Sequence, residues 1–357
     1  MVFSMTDDKG ILIKNIYYML TYAFQVLKQT NYDDIASEDF DKTEDLFAEI
    51  LSHGIAKQLK HGLYREYVIH QEILSVMRGK LDTQATIKNQ VQRKRVLSCE
   101  FDEFSENNIY NQILKTTSTI LINGDLISSD HRKSLKKVMP FFDGVDVIDP
   151  HSIRWDLLKF QRNNSTYRML MNICYFVLDR IIQTTEKGGY HMASFSDDHM
   201  ARLYESFILE YYRYHHSHLQ AKAAHVKWNL DDGADENAIK FLPIMQTDIT
   251  LHGGEKTLII DAKYYSHTMQ SRFNSYTLHS ANLYQIFTYV KNMDMYGTGN
   301  VSGMLLYAKT GEAITPDFDF SIDGNRISVK TLDLNTDFKL IAKQLDTIVS
   351  EHFGKVS

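Results

Sequence analysis

Apolar residues recur at helical spacing from Ile11 to Leu27, with Ile16, Met19, Leu20, Ala23, Phe24 and Leu27 on one face. The same period predicts a helix over Glu44 to Leu59, through Leu46, Phe47, Ile50, Leu51 and Ile55. The pattern then changes. Gly62 to His70 and Arg78 to Asp82 are aromatic-rich and partly alternating, which favours strands. Helical spacing returns over Asn108 to Ile122 and His131 to Met139. Pro140 and Pro150 bracket Phe141 to Ile148, and this punctuation marks a candidate domain junction.

The second half has a clearer rhythm. Trp155 to Thr184 reads as largely helical. Asp198 to Tyr214 is amphipathic, with Met200, Leu203, Tyr204, Phe207, Ile208 and Tyr211 on one stripe and Ser196 or Asp197 as its cap. Two strand-like runs, Phe241 to Leu251 and Lys256 to Tyr265, flank His252-Gly253-Gly254-Glu255, a hairpin signal. A helix around Ala281 to Lys291 and a strand over Val301 to Ala308 follow. The order helix, strand, strand, helix, strand predicts an α/β layer architecture.

Composition narrows the classes. A chain of 357 residues suggests two domains, placed here at 1–150 and 151–357. Cys99 and Cys174 are the only cysteines and form no CxxC, which argues against a disulfide framework or structural zinc and fits a reducing compartment. No secretory leader and no membrane-length apolar run is visible, so a cytoplasmic chain without a membrane partner is expected. The net charge is -6, from 39 Lys+Arg and 45 Asp+Glu. That balance argues against a generally basic nucleic-acid binder. The most basic short run, Lys88 with Arg93, Lys94 and Arg95, reads as a solvated face or as a contact for phosphate or an acidic partner.

The hairpin carries the candidate chemistry. Asp248 lies in its first arm and Asp261-Ala262-Lys263 in its second. Centring the turn between Gly253 and Gly254 pairs 252 with 255, 248 with 259 and 246 with 261. Alternation then puts Asp248, Asp261 and Lys263 on one side of the sheet, whereas an odd loop would separate them. Two carboxylates with open positions for water suit Mg²⁺. A neighbouring lysine can position water or stabilise charge on a phosphate. A lone Asp-x-Lys is weak, and Asp7/Lys9 and Asp337/Lys339 repeat it. Asp261 differs because Leu258-Ile259-Ile260 lead into it, so its charge ends a buried run. An ordinary salt-bridged hairpin stays open. Glu205 flanks the preceding helical stripe as a possible further metal ligand or a surface glutamate. Gln285 and Tyr289 share a helix face and fit either ligand orientation or packing. His215, His216 and His218 lack partners at ligand spacing and read as a polar loop. No GxxxxGK[ST], GxGxxG or GxSxG motif occurs.

Glu205, Asp248, Asp261-x-Lys263 and Gln285-x-x-x-Tyr289 together resemble the PD-(D/E)xK nuclease superfamily in its RecB-like form. A closer resemblance, to the McrC family, rests on Lys14-Asn15-Ile16-Tyr17-Tyr18-Met19-Leu20-Thr21-Tyr22-Ala23-Phe24. It rests also on Gly62-Leu63 with Arg65, on Arg78-Gly79-Lys80-Leu81, and on Phe101-Asp102-Glu103-Phe104 with Asn111-Gln112-Ile113-Leu114-Lys115. Leu242-Pro243, Thr247-Asp248-Ile249-Thr250 and Ile260-Asp261-Ala262-Lys263-Tyr264-Tyr265 complete it.

The resemblance implies an N-terminal α+β domain that engages a McrB-type AAA+ GTPase hexamer and stimulates it. It implies a following restriction-endonuclease-like α/β domain with a central mixed sheet flanked by helices. Asp248 and Asp261 would bind Mg²⁺ and Lys263 would assist the attacking water. GTP would be bound by the partner, and the substrate would be double-stranded DNA carrying modified cytosine. Two other readings remain: a stand-alone RecB-like repair nuclease, and a non-catalytic adapter that activates the GTPase.

Overall fold

The computed structural model describes residues 11, 13–23, 42–160, 165–186, 197–230, 233, 235–264, 270–272, 275–309 and 315–354. The chain forms two compact units, one of Glu44–Gly188 and one that joins Met1–Thr43 to Gly189–Ser357. The expected division at 150 therefore falls inside the first unit. The first helix, α1 (Ile13–Ala23), belongs to the other unit. Asn15 Nδ2 donates to the carbonyls of Leu334 (2.8 Å) and Thr336 (2.7 Å). The Tyr22 ring packs on Phe207 and Tyr211, and its hydroxyl lies 2.7 Å from His215 Nε2. The expected continuation of this helix to Leu27 lies outside the described residues.

In the Glu44–Gly188 unit, α2 (Thr43–Leu59) buries Leu46, Phe47, Ile50, Leu51 and Ile55, the stripe the sequence predicts. β1 (Glu66–Leu74) and β2 (Lys80–Leu81) both pair antiparallel with β3 (Leu97–Ser105). Between them, α3 (Thr83–Val91) starts at the Asp82 cap. Lys88, Arg93, Lys94 and Arg95 are all exposed at its end. Asn108 caps α4 (Ile109–Asn123), and α5 (Ser129–Val138) follows. Fully buried Asn111 donates to the Tyr64 and Glu106 carbonyls and accepts from Tyr167 of α6 (Ser165–Glu186). This saturates a polar group that burial would otherwise penalise.

Two readings of this region need correction. The Pro140–Pro150 stretch is no domain junction: Lys115 Nζ donates to the carbonyls of Phe142 (2.9 Å) and Val145 (2.6 Å), and Thr116 accepts from Ile148 N. Trp155–Leu157 is a short 3-10 turn, residues 158–160 are not helical, and the long helix is described over Ser165–Glu186.

The other unit is built on a five-stranded mixed sheet. α7 (Asp197–His215) follows the expected stripe, and its expected capping side chains lie outside the described residues. The strands are β4 (His225–Val226), β5 (Met245–Gln246), β6 (Ile249–Gly253), β7 (Lys256–Lys263), β8 (Gln270–Arg272) and β9 (Ser275–Thr277). β10 (Val301–Ala308), β11 (Phe318–Ile322) and β12 (Asn325–Leu332) complete them. The helices are a short α8 (Glu236–Ile239), α9 (Ser280–Met293) and α10 (Phe338–Phe353). Sheet order is β11-β12-β10-β7-β6, and β10 runs parallel to both neighbours. Ile259, Leu305, Ile327 and Val329 pack with Ile286, Tyr289 and Val290 of α9. No described helix is long and apolar enough to cross a membrane.

Helix α9 lies unusually close to the sheet because β10 has a glycine beneath it. A Cβ at Gly303 would meet Ile286 Cγ1 at 2.8 Å and Val290 Cγ2 at 2.9 Å. Gly303→Ala is expected to destabilise the fold by about 1–3 kcal/mol through overpacking, read as a lower urea midpoint at unchanged slope.

His352 gives the fold a pH dependence. Burial first, and then the Arg326 charge, push its imidazole down to about 4, and Nε2 has no hydrogen-bond partner. The unfolded chain titrates near 6.5. Between these values the unfolded state binds more protons, so stability rises with pH across that window. Acidification from pH 7 to 4.5 should remove up to about 3 kcal/mol from this group. Urea unfolding of His352→Gln across the same range should show a shallower loss; parallel curves for the two proteins would refute the assignment.

Candidate active site

The hairpin register differs by two residues from the expectation. His252 pairs with Thr257 and Ile249 with Ile260, and Gly254 and Glu255 form the turn. Gly254 takes φ +62°, which suits a glycine at the first turn position. The shift preserves parity. It also sets Asp248 one residue beyond the last ladder pair, opposite Asp261 instead of Ile259. Asp248 lies in the bend between β5 and β6, not within a strand. Its Oδ2 accepts from Ala262 N at 2.9 Å, a donor β6 leaves open by ending.

Leu258, Ile259 and Ile260 are completely buried, so β7 is an interior strand, and it delivers Asp261 to the end of the sheet at 1% exposure. Neither Asp261 oxygen accepts a hydrogen bond of ordinary geometry. Lys263 Nζ approaches Oδ2 to 2.9 Å as an ion pair. The same ammonium lies 3.5 Å from Gln285 Oε1, and Gln285 Nε2 donates to Tyr289 Oη at 2.9 Å. The structure thus brings Asp248, Asp261, Lys263, Gln285 and Tyr289 together. The i, i+4 spacing of Gln285 and Tyr289 on α9 places the second in support of the first.

Burial raises both aspartates above the usual carboxylate range. Lys263 opposes this for each, while the Asp248 charge raises Asp261 further. Glu205 of α7 faces the same field: burial and then Asp248 push it up to about 7, against Lys263 and Arg202. Three carboxylates thus meet one lysine in a desolvated corner, an arrangement short of positive charge. Among the described residues no three His, Cys, Asp or Glu side chains form a ready metal cage. Two aspartates with remaining positions for water and phosphate oxygen match Mg²⁺, which keeps much of its hydration. Asp261, buried beside Asp248 and paired with Lys263, fits a cation ligand.

Other expectations resolve structurally. Asp337 is a helix cap for α10, accepting from Lys339 N at 2.8 Å, so its Asp-x-Lys is accounted for. Asp7/Lys9 lie outside the described residues. His215 contacts Tyr22, and His216 lies 2.8 Å from Asp346. Sequence reading missed two features. Ala262 contributes its amide, which no side-chain pattern announces. Tyr307 is paired with Lys263 across β10 and β7, fully buried and held by Asn282 Nδ2 at 3.1 Å. Its only signal was its place at the end of an apolar strand.

The mixed sheet thus ends in two aspartates and a lysine gathered at one corner. Residues 4–308 match the family described as McrBC 5-methylcytosine restriction system component, and the chain belongs to that family. It is 28% identical over 351 residues to the Type IV methyl-directed restriction enzyme EcoKMcrBC of Escherichia coli (strain K12), covering 97% of this chain and 99% of that one. Among solved structures it is similar to a chain of the refined half-complex from the tetradecameric assembly of Thermococcus gammatolerans McrB AAA+ hexamers with bound McrC. That likeness has a TM-score of 0.48 and 18% identity over 94% of this chain and 76% of the other. A second, to a chain of the T. gammatolerans McrBC complex, has a TM-score of 0.38 and 18% identity over 58% and 61%.

Proposed function

We propose that the chain is the Mg²⁺-dependent endonuclease subunit of a methylcytosine-directed restriction complex, with the PD-(D/E)xK type of site. It would cut double-stranded DNA when driven by an AAA+ GTPase hexamer whose activity it stimulates. The observation that carries this reading is Asp261: a buried carboxylate beside Asp248 and paired with Lys263, in a chain of the McrBC family. The relative's name supplies the methyl direction, and the AAA+ partner follows from the McrC-like motifs of the sequence.

In this reading Asp248 and Asp261 would hold the cation, and Glu205 would add a ligand directly or through water. The chemistry such an ion supplies is polarisation of a phosphoryl oxygen and a lowered pKa for water. Asp248 is fixed by the Ala262 amide, so its carboxylate is oriented before substrate arrives. Lys263 orients the attacking water and offsets negative charge growing on the phosphate. Gln285, held by Tyr289, limits where the lysine head can go.

The test is purification of this chain with its AAA+ partner, followed by incubation with methylated and unmethylated DNA. Cleavage should require methylation, Mg²⁺ and GTP together. Cutting by this chain alone would favour the stand-alone nuclease, and GTPase stimulation without any cleavage would favour the adapter.

A further inference from the structure

We infer that the β4–β5 ladder is a DNA-binding arm that guides the substrate backbone into the Asp248/Asp261 site. The inference rests on the function proposed above and identifies a surface which that reading leaves unassigned. His225 pairs with Gln246 and Val226 with Met245. Val226 and Met245 are buried in the α9 cluster, so alternation turns His225, Lys227, Ile244 and Gln246 outward, and all four are exposed. Among the described residues, the side chains of His225, Lys227 and Gln246 are not used on other parts of the chain.

Position gives this face its meaning. Gln246 is two residues before Asp248, so their Cα atoms lie within about 7 Å. His225 is beside Gln246, and Lys227 follows about 7 Å along. A cation and two hydrogen-bonding groups thus lead outward from the site, the chemistry that recognises phosphate oxygens. Beyond them is an apolar tip, with Phe241 at 89% and Ile244 at 82% exposure. It is held in place: Trp228 Nε1 donates to Pro243 O at 2.9 Å, and Leu242 N to Ile239 O at 3.0 Å. Exposed apolar side chains on a fixed turn suit contact with sugar or base faces in a groove.

Two variants in the intact complex separate the contributions. Lys227→Gln should raise the KM for methylated DNA by about tenfold with kcat unchanged. It should also reduce by about 1 the slope of log affinity against log salt, read by anisotropy of a fluorescein-labelled methylated duplex. Phe241→Ala should weaken binding without changing that slope. Lys343→Gln on α10 is the charge control and should behave as wild type. If the wild-type complex cuts and both variants match it in KM and salt slope, the arm assignment is overturned. Loss of GTPase stimulation with DNA binding intact would overturn it too, by giving the arm to the protein partner. A wild-type complex that neither binds nor cuts DNA would remove both this inference and the proposed function.

Discussion

Asp261→Asn should abolish DNA cleavage by the reconstituted complex, by on the order of a thousandfold or more, while raising the melting temperature of the metal-free chain. The two effects share one cause. Asp261 is 1% exposed, burial raises its pKa, and the Asp248 charge raises it further. An acid whose folded pKa lies above its unfolded value weakens the fold as pH rises through that interval. At neutral pH without a cation, the ionised carboxylate therefore opposes folding. The amide keeps the shape and removes the charge, for a gain of about 1–3 kcal/mol. That corresponds to roughly 2–12 °C for a unit of this size. The same charge is what a cation would need, so the stabilised variant loses the ligand. Calorimetry in chelator and a cleavage assay on methylated DNA read the two halves. Stimulation of the partner GTPase should persist. Near-wild-type cutting would remove Asp261 from the site.

Lys263→Met should reduce kcat by about a hundred- to a thousandfold with little change in KM. Methionine fills much of the lysine stem's volume, so packing against the sheet is kept. What disappears is the ammonium 2.9 Å from Asp261 Oδ2, the group that opposes the upward shift of both aspartates and of Glu205. Three effects follow. The metal-free fold becomes less stable, because carboxylates lose their counter-charge. Manganese binding is retained or tightened, because the competing cation is gone. Catalysis drops, because water and phosphate lose their positioning charge. Lost manganese binding together with lost activity would instead make Lys263 a structural member of the site.

Much of this was readable in the residues because local pattern and burial agreed. The stripes of α2 and α7 are solved by the same apolar faces that define them. The Leu258-Ile259-Ile260 run marks an interior strand, and an acid at its end has few structural reasons to be there. Parity of the hairpin was legible too, since Asp248 and Asp261 share a side in any register of even loop. The register itself was not. Gly253-Gly254 and Gly254-Glu255 are both reasonable turns, and the choice depends on packing: a Cβ at Gly253 would lie 2.6 Å from Phe353 Cδ1. The attachment of the N-terminal helix was illegible for a related reason. Attachment of α1 to the C-terminal unit depends on Asn15 and Tyr22 meeting residues hundreds of positions away, and proline punctuation carries no such information. Tyr307 and the Ala262 amide were invisible because one looks like core and the other has no side-chain signature.

The central claim is that Asp248 and Asp261 form a divalent-cation site. Manganese titration by isothermal calorimetry, on wild type and on Asp248→Asn and Asp261→Asn, addresses it directly. Saturable binding to wild type and its loss in both variants are the expected results. Equal binding by all three proteins would contradict it.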